Sequence, residues 1–88
     1  MPVSVTIYTK PGCHLCEDVE RAVDDVRRSL PFHLTRVDVA SDPAAMAEYG
    51  FDIPVVAIDG KVHSTYYLNA ALFEKAIRKE IENHTHTS

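Results

Sequence analysis

The sequence lacks the features that define several protein classes. Its 88 residues contain no tryptophan and only two cysteines. No apolar run approaches the roughly 20 residues that a membrane-spanning helix needs. The net charge is −4 and there is no basic block, which argues against nucleic-acid binding by neutralisation of phosphates. We therefore expect no nucleic-acid partner and no membrane partner.

The first residues also lack the pattern of a secretory signal. The stretch MPVSVTIY has neither a charged n-region nor a long apolar h-region, so we expect a cytoplasmic chain. The cytoplasm is reducing, and two nearby cysteines in that compartment are typical of catalysis or metal binding rather than of a permanent bridge. A bridge between cysteines so close in sequence would also remove little chain entropy from the unfolded state.

What is present is the composition of a folded domain. Hydrophobic residues make up 45% of the chain and charged residues 25%, which is ordinary for a globular protein. A chain of this length is expected to form one domain, which we place at residues 1–83. Residues 84–88 contain no apolar side chain, and we expect them to be a disordered tail.

Hydrophobic periodicity predicts seven elements in the order β-α-β-α-β-β-α. The strand patterns cover 3–8, 32–40, 55–58 and 61–67, and the helical patterns cover 15–30, 43–50 and 70–81. A helix between the first two strands implies a right-handed crossover and parallel pairing. Asp59-Gly60 predicts a tight hairpin between the last two strands. The expected fold class is α/β, with a four-stranded mixed sheet flanked by three helices.

The two cysteines, Cys13 and Cys16, lie where the first strand gives way to the first long helix. A helix N-terminus offers unsatisfied N–H groups and a positive dipole end, and both favour a thiolate. Their spacing lets Cys13 attack a disulfide and lets Cys16, one turn later, attack Cys13 and release the product. We expect Cys13 to be exposed and Cys16 to be turned inward.

Other residues near this junction are candidates for substrate binding. Thr9 and Lys10 lie in the loop after the first strand, which must border Cys13. His14 stands between the cysteines, where it either stabilises a thiolate when protonated or is simply a solvated residue. A cis Ile53–Pro54 bond would aim the backbone of Ile53 at the cysteine pair, where an extended substrate can pair with it.

These motifs together resemble a known fold. A strand, KPGCHLC opening a helix, and an Ile-Pro pair before a hairpin are similar to the thioredoxin fold, and within it to small glutaredoxin-like proteins of the Cys-x-Leu-Cys type. The resemblance implies that Cys13 is the nucleophile, that Cys16 is the resolving thiol, and that Pro54 is cis and packs beside them. It also implies that Lys10 helps to bind the glycine carboxylate of glutathione.

The chain departs from the resemblance in ways that bear on glutathione. The first cysteine is not preceded by the tryptophan of thioredoxins, and Cys-His-Leu-Cys stands where glutaredoxins usually have Cys-Pro-Tyr-Cys. The segment STYYLNAALFEK lacks the Gly-Gly-X-Asp that holds the γ-glutamyl end of glutathione in glutaredoxins. We therefore expect glutathione to bind more weakly here than in an ordinary glutaredoxin.

The sequence therefore predicts an enzyme, a monomeric thiol–disulfide oxidoreductase of electron transport. The expected substrate is a disulfide-containing protein or small molecule, and the reductant is glutathione or a thioredoxin-reductase-type enzyme. We expect no bound cofactor, with glutathione as a candidate co-substrate. The alternatives are a metal protein, holding zinc or an iron–sulfur cluster bridged between two chains, and an interaction module without chemistry. No second pair of ligands with a standard zinc spacing accompanies the cysteines, so we assign no metal-ligating residue.

Overall fold

The helices and strands follow the predicted order. The computed structural model describes residues 3–85. The strands are β1 (Ser4–Thr9), β2 (His33–Asp38), β3 (Val55–Ile58) and β4 (Lys61–Thr65). The helices are α1 (His14–Arg27), α2 (Pro43–Tyr49) and α3 (Ala70–Thr85), with a short 3-10 turn at Val39–Ser41. The predicted succession β-α-β-α-β-β-α is thereby confirmed.

The four strands form one mixed sheet in the order β2-β1-β3-β4. β1 pairs with β2 in parallel and with β3 antiparallel, and β3 pairs with β4 antiparallel. The parallel pair requires a crossover, which α1 supplies. Asp59 and Gly60 join β3 to β4 with φ of 49° and 83°, the positive values that a two-residue hairpin turn requires. The predicted sheet and hairpin are both present.

One apolar core lies between the sheet and the helices. Alternate residues of β1 point into it, and α1 and α3 each contribute an apolar face. Phe32 and Phe73 meet edge to face inside it, with ring centroids 6.0 Å apart. The most deeply buried members are Val5, Ile7, Val23, Val56, Phe73 and Ile77. This core fixes α1 on the sheet and so fixes the position of its N-terminus.

None of the helices in residues 3–85 is long and apolar enough to cross a membrane.

Among the element ends that differ from the predicted ones, those of α1 and the second strand come early because local hydrogen bonds stop the pattern. α1 ends at Arg27 rather than at Leu30, since the N–H groups of Ser29 and Leu30 both donate to the carbonyl of Val26. Leu30 is buried nevertheless, which explains its helical spacing in the sequence. The second strand ends at Asp38, whose carboxylate accepts the N–H of Ala40 at 2.9 Å and opens the 3-10 turn.

The predicted disordered tail is wrong for its first two residues. His84 and Thr85 belong to α3. His84 Nε2 lies 2.9 Å from Asp59 Oδ2 at the β3–β4 turn, and this contact holds the last turn of the helix against the sheet. The remaining tail residues, 86–88, lie outside the described part of the chain.

Candidate active site

The cysteine pair lies where β1 ends and α1 begins. A short loop of Lys10, Pro11 and Gly12 makes the connection, and Gly12 has a φ of 80°, which L residues with a Cβ seldom adopt. Cys13 follows as the N-cap of α1, with φ −92° and ψ 107°. Its carbonyl accepts the first helical hydrogen bond, from Glu17 N–H at 3.2 Å. The turn therefore delivers the Cys13 side chain to the helix N-terminus.

The sulfur of Cys13 is in contact with the backbone of α1. Cys13 and Cys16 form a disulfide with their Cα atoms 5.2 Å apart. The backbone N–H of Cys16 also donates to Cys13 Sγ at 3.1 Å. When the pair is reduced, this N–H group and the positive end of the helix stabilise negative charge on that sulfur. The geometry therefore favours the thiolate on Cys13.

The two cysteines differ in their access to solvent. Cys16 is 2% exposed and lies on the buried face of α1 with Val19 and Val23, whereas Cys13 is half-buried. A disulfide approaching from solvent therefore meets Cys13 first. The expected difference in exposure is confirmed. Leu15 begins the helical pattern of apolar residues in the sequence, but it is 51% exposed because Cys16 takes the inward direction beside it.

An open groove of about 300 Å³ borders the disulfide. The groove brings Thr9 and Lys10 together with both cysteines, in the place predicted for them. Its charged lining is mostly acidic, with three carboxylates beside the Lys10 ammonium. The lining residues are Thr9, Lys10, Pro11, Gly12, Cys13, Cys16, Glu17, Glu20 and Asp38.

Two of these carboxylates already have structural partners. Glu20 Oε1 accepts from Arg36 Nε at 2.9 Å, and Asp38 caps the 3-10 turn. Glu17 is more exposed, and its Oε2 atom lies 3.8 Å from His14 Nδ1. Lys10 and Glu17 are therefore the most exposed charged side chains of the groove, and a bound substrate can contact both.

His14 lies outside the groove. Its side chain is 96% exposed, and it does not line the groove around Cys13. This position matches the solvated alternative for His14 rather than a direct contact with the thiolate.

Ile53 and Pro54 lie at the same end of the sheet as the cysteines. Their peptide bond is cis, as the resemblance implies. The register pairs Val55 with Tyr8, so Pro54 continues toward the level of Thr9. Pro54 is fully buried and Ile53 half-buried, and neither lines the groove. Both therefore lie at this end of the sheet, and the groove itself is formed without them.

Tyr66, which the sequence favours as an aromatic residue packed in the fourth strand rather than one lining a substrate surface, touches this same segment. Its backbone N–H donates to the carbonyl of Pro54 at 2.8 Å. Its hydroxyl lies 3.0 Å from Asp52 Oδ1 and 3.2 Å from the carbonyl oxygen of Phe51. The hydrogen bond to the Asp52 carboxylate, together with its charge, raises the pKa of Tyr66. Tyr66 has a φ of 67°, a value that glycine adopts easily. The sequence signal for this unusual backbone was that glutaredoxins carry a glycine pair in this region.

A group of possible metal ligands lies at the opposite end of the sheet. Among the described residues, ligand atoms of Asp59, Glu80 and His84 come within 4.8 Å of one another. Asp59 is adjacent to Ser4 at the start of β1, whereas the cysteines follow its end. This group therefore supplies no additional ligand to Cys13 or Cys16.

The sheet order, the cysteine pair at the β1–α1 junction and the proline before β3 define a protein of the thioredoxin superfamily with a redox-type cysteine pair. The chain belongs to the family described as Glutaredoxin-like domain (DUF836), whose model matches residues 4–83.

Relatives and solved structures agree with this membership. An uncharacterized protein of Mycobacterium tuberculosis is 29% identical over 86 residues, covering 92% of this chain and 84% of the relative. The solution structure of protein Ne2328 from Nitrosomonas europaea superposes with a TM-score of 0.74 at 20% identity, covering 86% of this chain and 92% of that one. Thioredoxin from Fasciola hepatica gives 0.67 at 21% identity, covering 89% and 80%. At these identities the two structures show a common fold.

Proposed function

We propose that this protein is a thiol–disulfide oxidoreductase in which Cys13 is the nucleophile and Cys16 the resolving thiol. The observation that carries the proposal is the asymmetry of the pair. Cys13 Sγ accepts the N–H of Cys16 at 3.1 Å at the exposed start of α1, and Cys16 is 2% exposed beneath it. One sulfur is thus prepared to react with an outside disulfide, and the other can reach only its partner.

The reaction follows from this arrangement. The Cys13 thiolate attacks one sulfur of a substrate disulfide, forms a mixed disulfide and expels a thiolate, which takes a proton from water. Cys16 then loses its proton and attacks Cys13 Sγ, which releases the second substrate thiolate. Two electrons pass to the substrate, and the protein is left as the Cys13–Cys16 disulfide that the structure contains. An external dithiol reverses this oxidation.

We propose a disulfide-containing polypeptide as the preferred substrate, because half of the glutathione site lacks its usual charge. Lys10 lines the groove and offers an ammonium to a carboxylate. At the other end, the first turn of α3 contains no acid, and Asn69 Oδ1 already accepts the N–H of Leu72 at 3.1 Å. The ammonium group of glutathione therefore has no carboxylate partner there. We further propose that the protein acts as a cytoplasmic monomer without a bound cofactor.

The test is turnover of oxidised insulin with dithiothreitol as the reductant. We expect the wild-type protein to accelerate thiol release above the rate with dithiothreitol alone. A thiol count of the purified protein should give two thiols after reduction and none after oxidation, and metal analysis should give no stoichiometric metal. Stoichiometric zinc or iron, or a rate equal to that without protein, would contradict the proposal.

A further inference from the structure

We propose that Tyr66 is a positioning residue, which holds the segment 51–54 so that the backbone of Ile53 can pair with an extended polypeptide disulfide bound at Cys13. The inference rests on the proposed function and names the element that adapts it to polypeptides. Tyr66 itself is not part of the groove lining and makes no hydrogen bond to either cysteine.

The hydrogen bonds of Tyr66 fall on both sides of Ile53. Its backbone N–H holds the carbonyl of Pro54, the residue after Ile53, at 2.8 Å. Its hydroxyl reaches the two residues before Ile53, with 3.0 Å to Asp52 Oδ1 and 3.2 Å to the Phe51 carbonyl oxygen. One residue thus makes hydrogen bonds on both sides of the proposed docking position, to the backbone of Pro54 after it and to the side chain of Asp52 and the backbone of Phe51 before it.

The segment needs such support because little else holds its first half. Phe51 is 95% exposed and Asp52 is also exposed, so neither side chain is buried in the core. The N–H of Asp52 donates to the carbonyl of Tyr49 at 2.8 Å, which attaches this turn to the end of α2. The hydroxyl of Tyr66 adds a connection from this turn to the end of β4.

The backbone of Tyr66 indicates that this contact is specified by the fold. Its φ of 67° lies in the left-handed region that aromatic residues disfavour. Such a conformation persists only where the surrounding structure requires it, and it is concentrated at functional sites. Here it occurs at the residue directly after β4, where it turns the chain out of the strand while the ring reaches the 51–52 turn.

If Tyr66 is a positioning residue, the activity lost when its hydrogen bonds are removed should depend on the size of the substrate. An extended polypeptide uses the backbone of Ile53 like an added strand, so a less ordered segment 51–54 weakens its binding. A small disulfide reaches Cys13 through the open groove, which does not include Ile53. The cysteine pair and its potential are unaffected, because Tyr66 makes no hydrogen bond to either cysteine.

The experiment compares Tyr66→Phe with the wild-type protein and uses Tyr67→Phe as the matched control. Tyr67 carries the same hydroxyl and is 75% exposed. For oxidised insulin, we expect Tyr66→Phe to raise KM by about threefold to tenfold, the effect of one or two lost hydrogen bonds, with kcat unchanged. Turnover of hydroxyethyl disulfide and the Cys13–Cys16 reduction potential should stay at wild-type values. Tyr67→Phe should leave all four quantities unchanged.

A second variant separates the two acceptors. Asp52→Ala removes one of them and leaves the Phe51 carbonyl, so its KM for insulin should lie between those of the wild-type protein and Tyr66→Phe. Two results for Tyr66→Phe would overturn the inference while leaving the proposed function intact. One is an equal loss of activity on insulin and on hydroxyethyl disulfide, and the other is an insulin KM equal to that of Tyr67→Phe. A wild-type protein that reduces neither substrate would overturn both.

Discussion

The two ends of the sheet use the same kind of contact for different purposes. At one end Cys13 Sγ accepts the N–H of Cys16 at 3.1 Å, and at the other Asp59 Oδ1 accepts the N–H of Ser4 at 2.9 Å. The sulfur stands at an open groove, whereas Asp59 is also bound to His84 and so joins the hairpin turn, β1 and α3. The half-buried Cys13 keeps one side open to the groove, whereas Asp59, which connects parts of the fold, makes several contacts.

Asp59, the Ser4 N–H and His84 form a clamp at the end of the sheet far from the cysteines, and its charges show how it is stabilised. Burial opposes ionisation of Asp59, but hydrogen bonds from the Ser4 N–H and from His84 outweigh it and lower the pKa of Asp59. The cysteine end has one N–H contact to sulfur and an acidic groove around it. The proposed chemistry is therefore concentrated at one end of the sheet and fixed charge pairing at the other.

The largest expected effect comes from removing the reactive sulfur. Cys13→Ser should reduce insulin turnover to the rate without protein, because a serine hydroxyl does not form the nucleophile at neutral pH. Cys16→Ser is the matched variant, and it should still attack once and accumulate a mixed disulfide, measured as added mass. Faster alkylation of Cys16 than of Cys13 in the reduced protein would contradict this assignment.

The next effect concerns glutathione at the cysteine end. We expect an affinity lower than that of an ordinary glutaredoxin by roughly tenfold to a hundredfold, since one charge-assisted contact contributes about 1.5–3 kcal/mol. Asn69→Asp keeps the oxygen that caps Leu72 and adds the missing charge, so it should recover part of this loss. The measurement is the KM for a glutathione mixed disulfide.

A micromolar KM in the unmodified protein, with the turnover of a standard glutaredoxin, would refute the prediction. Lys10→Ala is the complementary variant, and we expect it to raise the same KM because it removes the ammonium from the groove.

A smaller effect tests the clamp at the far end. Asp59→Gly should lower the free energy of unfolding by about 0.5–1.5 kcal/mol, because it removes the acceptor of the exposed Ser4 N–H. Glycine tolerates the φ of 49°, so backbone strain does not contribute. Asp59→Asn retains an acceptor and should cost less. Urea unfolding measures both, and the alkylation rate of Cys13 should be unchanged in each; a changed rate would show that the two ends are coupled.

The pH dependence of the same clamp follows from its direction of shift. The pKa of Asp59 is lower in the folded chain than its ordinary value of 3.8. Its contribution to stability is therefore present above about pH 4 and is lost as the pH falls through the folded value. Asp59→Asn should remove this acid-dependent part, and identical acid unfolding profiles for the two proteins would contradict it.

The smallest effect is expected at His63, which lies on β4 between the two ends. Burial lowers the pKa of His63 below its ordinary value of 6.5, and its ring packs against Phe73 at 5.7 Å. The unfolded chain takes up this proton first, so stability should decrease as the pH falls below about 6.5. His63→Gln should flatten that part of the stability profile, and an unchanged slope would remove His63 as its source.

Local patterns predicted most of the fold and the centre of the site. Alternation gave the strands, Asp59-Gly60 gave the hairpin, and the break before Cys13 placed the cysteines at a helix start. The apolar helical pattern alone places Leu15 on the inner face of α1, whereas packing against the sheet buries Cys16 and leaves Leu15 51% exposed.

The contacts that the sequence analysis missed join distant parts of the chain. Tyr66 and Asp52 are 14 residues apart and His84 and Asp59 are 25 apart, and neither pair has a spacing rule. The left-handed backbone of Tyr66 is equally hidden, because it depends on what its ring and N–H reach in the folded chain. Such contacts follow from the tertiary arrangement rather than from local periodicity.

The burial of Cys16 has a consequence for how the cysteine pair resists irreversible oxidation. Peroxide converts an exposed thiolate to a sulfenic acid, and further oxidation to the sulfinic acid is generally irreversible. Cys16 is shielded from the peroxide, at 2% exposure, and lies within bonding distance of Cys13. It can therefore condense with the sulfenic acid and expel water before a second oxidant arrives. The Cys13–Cys16 disulfide thus protects both sulfurs from further oxidation, and a dithiol can reduce it to the two thiols again.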